Sequence, residues 1–214
     1  MKFISIAGAT SKAGKTLLAE QIIRYCASKY KPVYGIKFTT TSDLPSPCPR
    51  GAPCTVCDLS DNFRVIRDPE ILLKPGKNTQ RLAAANATEV IWVIAKKSQL
   101  PVAFQHLLTH LPADALAVME GSSITALCKP DLLFYIFANH IAASRWKESA
   151  TEIMGRSDVL ILNHKTGMSD HPSIHPPKDA LVMDLAQEAS TSRPEIRNKI
   201  DAVMRSLTYA IQSP

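Results

Sequence analysis

The chain has 214 residues, 45% of them hydrophobic and 21% charged, which is enough for one substantial core and asks for no second domain. No apolar run reaches the ~20 residues of a membrane-spanning helix, and the start of the chain reads as a strand where a secretory leader would need a basic flank, so a cytoplasmic protein is expected. The net charge of +6 suits anionic ligands, but it is spread without a Lys/Arg block or interleaved aromatics, which argues against nucleic acid as the partner.

The first element is legible from Lys2 onward, in "KFISIAGATSKAGKTLLAEQII". Phe3 to Ala7 is an apolar run bounded by Gly8 and predicts a buried strand; Leu18, Ile22 and Cys26 then recur at i, i+4 and i+8, one face of an amphipathic helix. Between them, Ala9, Thr10, Ser11, Lys12, Ala13, Gly14, Lys15 and Thr16 fit the P-loop pattern with Ala in the first position. Small residues let backbone N–H groups converge on an anion, and a helix starting near Gly14 adds unpaired amides and the positive end of its dipole. Lys15 is placed to neutralise the β- and γ-phosphates of a nucleotide and the Thr16 hydroxyl to ligate magnesium. Lys12 belongs to the cradle without a catalytic role. The plainer reading of the stretch is a glycine-containing turn with no ligand.

"PVYGIKF", from Pro32 to Phe38, predicts the second strand. From Thr39 to about Asn78 the periodicity fails, apart from short apolar interruptions at 63–66 and 71–73, and the segment reads as a cysteine-containing insertion. Order returns with a helix over 79–87, the strand "EVIWVIA", a helix over 100–111, the strands "ALAVME", "DLLFYIF", "DVLILN" and "ALVMDL", and a terminal helix over 194–211 that opens on Pro194. Apolar strands alternating with helices predict a mostly parallel sheet with helices on both faces, the three-layer α/β architecture of the P-loop NTPases. Ligands in such sheets sit at the carboxyl ends of the strands, which makes the residues there candidates.

Two strand ends carry suitable groups. "AVMEGSS" brings Glu120 to a strand end, where its carboxylate can hold magnesium directly or through water, and Gly121 leaves room for a γ-phosphate; capping of the next helix is the plainer role for Glu120. "VLILNHKTG" brings Asn163 to another strand end, where its amide can both donate to and accept from a purine edge, base identity staying open.

The insertion contains "CPRGAPCTVCD", with Cys48, Cys54 and Cys57 in a C-x5-C-x2-C array. The C-x-x-C turn brings two sulfurs to one side and a third thiolate lies near, so zinc or an iron–sulfur cluster is a candidate occupant, with Cys128, Asp58, a histidine or a second subunit as the fourth ligand. Reduced thiols without a metal are the alternative. Cys26, on the apolar helix face, reads as core, and His171 and His175 as ordinary loop histidines.

The P-loop followed by "GIKF", then "KPGKNTQR", an Ala-rich helix, "EVIWV", and "VMEGSS" followed by "KPDLLF", resembles the molybdopterin-guanine dinucleotide biosynthesis protein B family over most of residues 1 to 165. The resemblance implies a magnesium-dependent, GTP-binding P-loop protein, commonly a homodimer, that assists attachment of a guanine nucleotide to molybdopterin beside a nucleotidyltransferase partner. On matched positions it implies Lys15 and Thr16 at phosphate and magnesium, and Lys74, Gly76, Lys77 and Arg81 in a loop facing nucleotide or pterin phosphate. The chain departs from that family after its second strand, where "KFTTTSDLPSP" stands in place of histidines; Asp43 or Asp68 is a candidate for a magnesium-linked residue there. "EGSS" also resembles the glutamate-glycine motif of dethiobiotin and cobyrinate synthetases, which use ATP. The expected function is therefore a slow GTPase of molybdenum-cofactor assembly, with a nucleotide-gated metal or iron–sulfur carrier and an ATP-dependent synthetase as alternatives.

Overall fold

The computed structural model describes residues 1–43, 59 and 61–212, with side chains through 207. Its strands are β1 (Lys2–Gly8), β2 (Val33–Thr41), β3 (Phe63–Ile66), β4 (Glu89–Lys96), β5 (Leu116–Glu120), β6 (Leu132–Ala138), β7 (Val159–Asn163) and β8 (Leu181–Met183). They form one eight-stranded sheet in the order β3-β4-β2-β5-β1-β6-β7-β8. Every pairing is parallel except that of β3 with β4. The helices are α1 (Lys15–Ala27), α2 (Pro69–Leu72), α3 (Asn78–Ala84), α4 (Leu100–Leu108), α5 (Ala150–Gly155) and α6 (Pro194–Gln212).

Strand side chains alternate between two faces, and because the parallel strands are buried on both, their sequences read as nearly continuous apolar runs. Ile4, Ile6, Val118, Phe134, Ile136 and Ile161 point to one face, where they pack with Leu18, Ile22 and Ile23 of α1, Leu82 of α3 and Ile196, Ile200 and Leu207 of α6. The opposite face divides in two. Ile36, Val93, Ala117 and Met119 pack under Leu100, Phe104 and Leu107 of α4, and Leu133, Tyr135, Phe137 and Leu160 pack under Ala150 and Ile153 of α5. Helices thus cover both faces, as the sequence pattern predicts. None of the helices among the described residues is long and apolar enough to cross a membrane.

The stretch after Phe38 differs from the sequence reading at its margins. Thr39 to Thr41 continue β2, because β4 alongside offers a full register from Tyr34↔Glu89 to Thr41↔Lys96. The apolar interruption at 63–66 becomes β3, an antiparallel edge strand on β4 that is too short to show a period. The one at 71–73 contributes to α2, whose start is fixed locally: Asp68 accepts from Glu70 N at 2.9 Å and Pro69 occupies the first turn. Cys48, Cys54, Cys57 and Asp58 lie outside the described residues.

α1 and α3 approach β2 closely at Gly35, where a Cβ would stand 3.1 Å from Ile23 Cδ1 and 3.2 Å from Leu82 Cβ. Leu82 is fully buried and is the main apolar anchor of α3, the helix that follows the Lys74–Lys77 turn. Leu82→Ala is expected to destabilise the protein by about 2–5 kcal/mol, read as a lower urea midpoint with an unchanged slope.

Candidate functional site

β1 ends at Gly8 and α1 begins at Lys15, so residues 9–14 form the turn between the central strand and its helix. Gly14 is the N-cap with φ 114°, and a Cβ there would stand 2.7 Å from Asn163 Nδ2, so this position requires glycine twice over. The carbonyl side of the turn is held by the protein. Ala9 O accepts from Lys147 N at 3.1 Å, Thr10 O from Lys15 Nζ at 2.6 Å, Ala13 O from Asn163 Nδ2 at 3.0 Å and Gly14 O from Leu18 N at 3.1 Å. The N–H side is different. Ala9 N donates to Ile136 O at 3.0 Å, but beyond it, among the described residues, no protein oxygen accepts from the main-chain N–H groups of Thr10 to Thr16. The Thr10 hydroxyl is also buried without a partner. A turn with its carbonyls anchored and its amides unpaired at a helix N-terminus is an electropositive concavity suited to an anion.

The charged groups converge on the same place. Register pairs place Phe134, Ile6, Glu120, Lys37 and Trp92 side by side across β6, β1, β5, β2 and β4. Two ionisable residues therefore interrupt an otherwise apolar row. Thr16 Oγ1 donates to Glu120, with Oε1 at 2.9 Å and Oε2 at 3.0 Å, and Lys37 Nζ lies 3.8 Å from Glu120 Oε1. Lys15 is 8% exposed. Burial, then the neighbouring Lys147 ammonium, push the Lys15 pKa down to about 8; Glu120 opposes the shift and Lys37 adds to it. Lys147 is exposed along its stem but turns its ammonium in to Ser122 Oγ at 3.3 Å, and burial lowers its pKa as well. Lys15 and Lys37 thus have one carboxylate, Glu120, in common, and Lys147 adds a third ammonium near Lys15, a local deficit of negative charge.

The predicted residues fall into three groups. Ala9, Thr10, Ala13, Gly14, Lys15, Thr16 and Glu120 are brought together, with Ser11 and Lys12 exposed at the outer bend of the turn. Gly121 adjoins them: its φ is 155°, a Cβ would stand 2.8 Å from Phe38 Cβ, and its N–H donates to Ile6 O at 3.1 Å. Asn163 belongs to the site by its bond to Ala13, while its Oδ1 accepts from Leu185 N at 3.2 Å, so its amide ties β7 to the turn.

The "KPGKNTQR" residues are engaged otherwise. Lys74 and Gly76 lie in an exposed turn, with Gly76 at φ 77° and its N–H donating to Gln80 Oε1 at 3.1 Å. Lys77 Nζ sits 5.5 Å from the centroid of the Trp92 ring. Arg81 donates to Glu20 Oε2 through Nε at 2.9 Å and Nη2 at 2.7 Å, which joins α3 to α1. Asp43 accepts from Ser98 N and Oγ at 3.0 and 2.8 Å, bonds that lower its pKa, and Asp68 caps α2.

Among the described residues there is no group of three or more His, Cys, Asp or Glu placed to hold a metal ion. Cys26 is buried and its thiol is pushed up to about 12 by that burial; Cys128 is half-buried with its pKa raised for the same reason. His171 is bonded within its own turn, to Ser173 Oγ at 2.9 Å.

Two residues of the site, Lys37 and Lys147, escape the sequence reading. Lys37 left a signal, a lysine between the buried Ile36 and Phe38 of a strand; Lys147 left none, because it lies in "ASRWKES", well past the end of β6. Compared with known proteins, the chain matches no family model and no curated protein.

The donors that surround the turn suit a polyphosphate with magnesium. Thr16 and Glu120 present hard oxygens within hydrogen-bond distance of each other, a pair that leaves most of an octahedral ion's positions to water and phosphate. Holding Lys15 charged in this setting costs stability. Its pKa lies below the ordinary 10.5, so the cost is fully present below about pH 8 and is relieved as pH rises from there toward 10.5. Lys15→Met is expected to stabilise the fold at pH 7 by about 1–3 kcal/mol, with the gain shrinking above pH 8. Urea unfolding from pH 6.5 to 9.5 tests this, and a destabilised variant would show that the Lys15 bond to Thr10 outweighs the repulsion.

Proposed function

We propose that the chain is a magnesium-dependent P-loop nucleotide-binding protein of the P-loop NTPase fold. The observation that carries the reading is the run of main-chain amides from Thr10 to Thr16 that find no protein acceptor among the described residues, beside the buried Lys15 at the N-terminus of α1. In this role the loop amides bind the phosphate chain and Lys15 neutralises its β- and γ-oxygens. Magnesium would supply positive charge to offset that of the phosphates. Thr16 and Glu120 would hold it, and the Glu120 carboxylate, shared with Lys37 at 3.8 Å, stays fixed on the row it occupies. Gly121 keeps the chain close to β2 beyond Glu120, where a side chain would collide with Phe38. Asn163 orients the turn from the β7 side through Ala13.

GTP is the nucleotide we assign, with slow hydrolysis. Assistance to molybdopterin guanine dinucleotide formation, as a homodimer acting with a nucleotidyltransferase, is the pathway that the order of "GIKF", "KPGKNTQR" and "VMEGSS" supports. A second reading, an ATP-dependent synthetase that activates a carboxylate, is favoured by Lys37. Its ammonium faces the site from β2 and is not bonded to the phosphate turn, so it is available to a second anion.

Calorimetric titration with GTP and ATP, with and without magnesium, separates these readings. Magnesium-dependent GTP binding that Lys15→Ala reduces by at least about a hundredfold is expected. Preference for ATP would favour the synthetase. The absence of binding to either nucleotide at about millimolar concentration would remove both readings.

A further inference from the structure

We propose that Lys147 is a second phosphate-binding cation of this site, brought over the turn by the segment after β6 to meet the terminal phosphate of a bound nucleoside triphosphate. The inference rests on the phosphate reading above and adds a residue that no motif assigns.

The backbone of Lys147 is fixed on the turn itself, where its N–H donates to Ala9 O at 3.1 Å. Its neighbour Trp146 packs on Phe137 of β6, ring centroids 5.5 Å apart, and holds the segment against the α5 face of the sheet. From there the Lys147 side chain reaches Ser122 Oγ at 3.3 Å. Ser122 Oγ in turn accepts from Gly8 N and donates to Gly8 O, both at 3.1 Å. The stem of Lys15 crosses the same glycine, since a Cβ on Gly8 would stand 3.0 Å from Lys15 Cγ. Two lysine side chains from separate elements therefore come to Gly8, the stem of one from α1 and, through Ser122, the ammonium of the other from the 143–149 segment.

An ammonium with a structural task would be expected to meet a carboxylate or several acceptors. Lys147 uses one of its three N–H groups, on a hydroxyl already shared with Gly8, and no carboxylate among the described residues pairs with it. Bringing its ammonium toward that of Lys15 sets two like charges near each other. Packing of Trp146 and the anchor to Ala9 keep the pair together. An anion with two charges, within reach of both nitrogens, reverses the sign of the interaction. Its place along the phosphate chain follows from Glu120, which with Thr16 would hold magnesium: Ser122, the partner of Lys147, lies two residues beyond that carboxylate and so puts Lys147 on the side of the site where the terminal phosphate would lie.

The test is the affinity of wild type, Lys147→Ala and Lys147→Arg for GTP against GDP, and ATP against ADP, with magnesium at pH 7. Loss of one charge-assisted contact is expected to weaken triphosphate binding by about tenfold to a hundredfold in Lys147→Ala and diphosphate binding by less than about threefold, with Lys147→Arg close to wild type. Unchanged discrimination between tri- and diphosphate, or equal loss of both, overturns the assignment. Wild-type protein that binds none of the nucleotides removes the phosphate reading itself, and the inference with it.

Discussion

Everything at the candidate site depends on the imbalance around Glu120. The buried Glu120 carboxylate lies 3.8 Å from Lys37 Nζ and near the buried Lys15, with Lys147 adding a further positive charge beside Lys15. Charges in such a place are costly unless paired. A single carboxylate-sized anion would compensate one ammonium, whereas the polyphosphate and metal proposed above would match several cations spaced along a turn.

The sheet order explains how residues far apart in the chain reach this point. β1 lies between β5 and β6, with β2 beyond β5, so the parallel strand ends that carry Gly8, Glu120, Ala138 and Thr41 all open on the same edge. Glu120 reaches Thr16 because β5 is next to the strand that feeds α1, and Lys37 reaches Glu120 because β2 is the next strand out. The segment after β6 can cross to Ala9 for the same reason, since Ala9 N already continues the β1–β6 ladder to Ile136. Topology, more than any single contact, assembles the site.

What the sequence made legible follows from how each residue acts. The turn from Ala9 to Thr16 is written in consecutive residues, so its place between strand and helix could be read directly, and Glu120 was found by its position at a strand end. Strand boundaries held where apolar runs are long, and slipped at Thr39–Thr41, where polar residues continue a strand because β4 supplies the pairing. β3 is too short to show a period. Arg81 looked like a phosphate ligand by its company, yet its partner is Glu20, a helix-to-helix pair that only the tertiary arrangement creates. Lys147 lies in a segment with neither a strand nor a motif around it, and its role arises from Trp146 and Ala9, contacts with no local signature.

The orientation of the turn follows from peptide geometry. Each peptide plane carries its C=O and N–H on opposite sides, so fixing the carbonyls of a short turn aims its amides the other way. Here the fixing is done from several directions: Lys147 N on Ala9, Lys15 Nζ on Thr10, Asn163 Nδ2 on Ala13 and Leu18 N on Gly14. The Thr10 bond is the exception in kind, because the group that makes it is a cation suited to the same anion. In the proposed phosphate-bound state Lys15 would leave Thr10, whose carbonyl and buried hydroxyl would then need other partners. Ala9 and Ala13 keep theirs, and so the two ends of the turn stay anchored while its middle is free to adjust. A rigid frame with an adaptable centre is what the proposed role would need, since the charge and shape of a phosphate chain change as a phosphate is transferred.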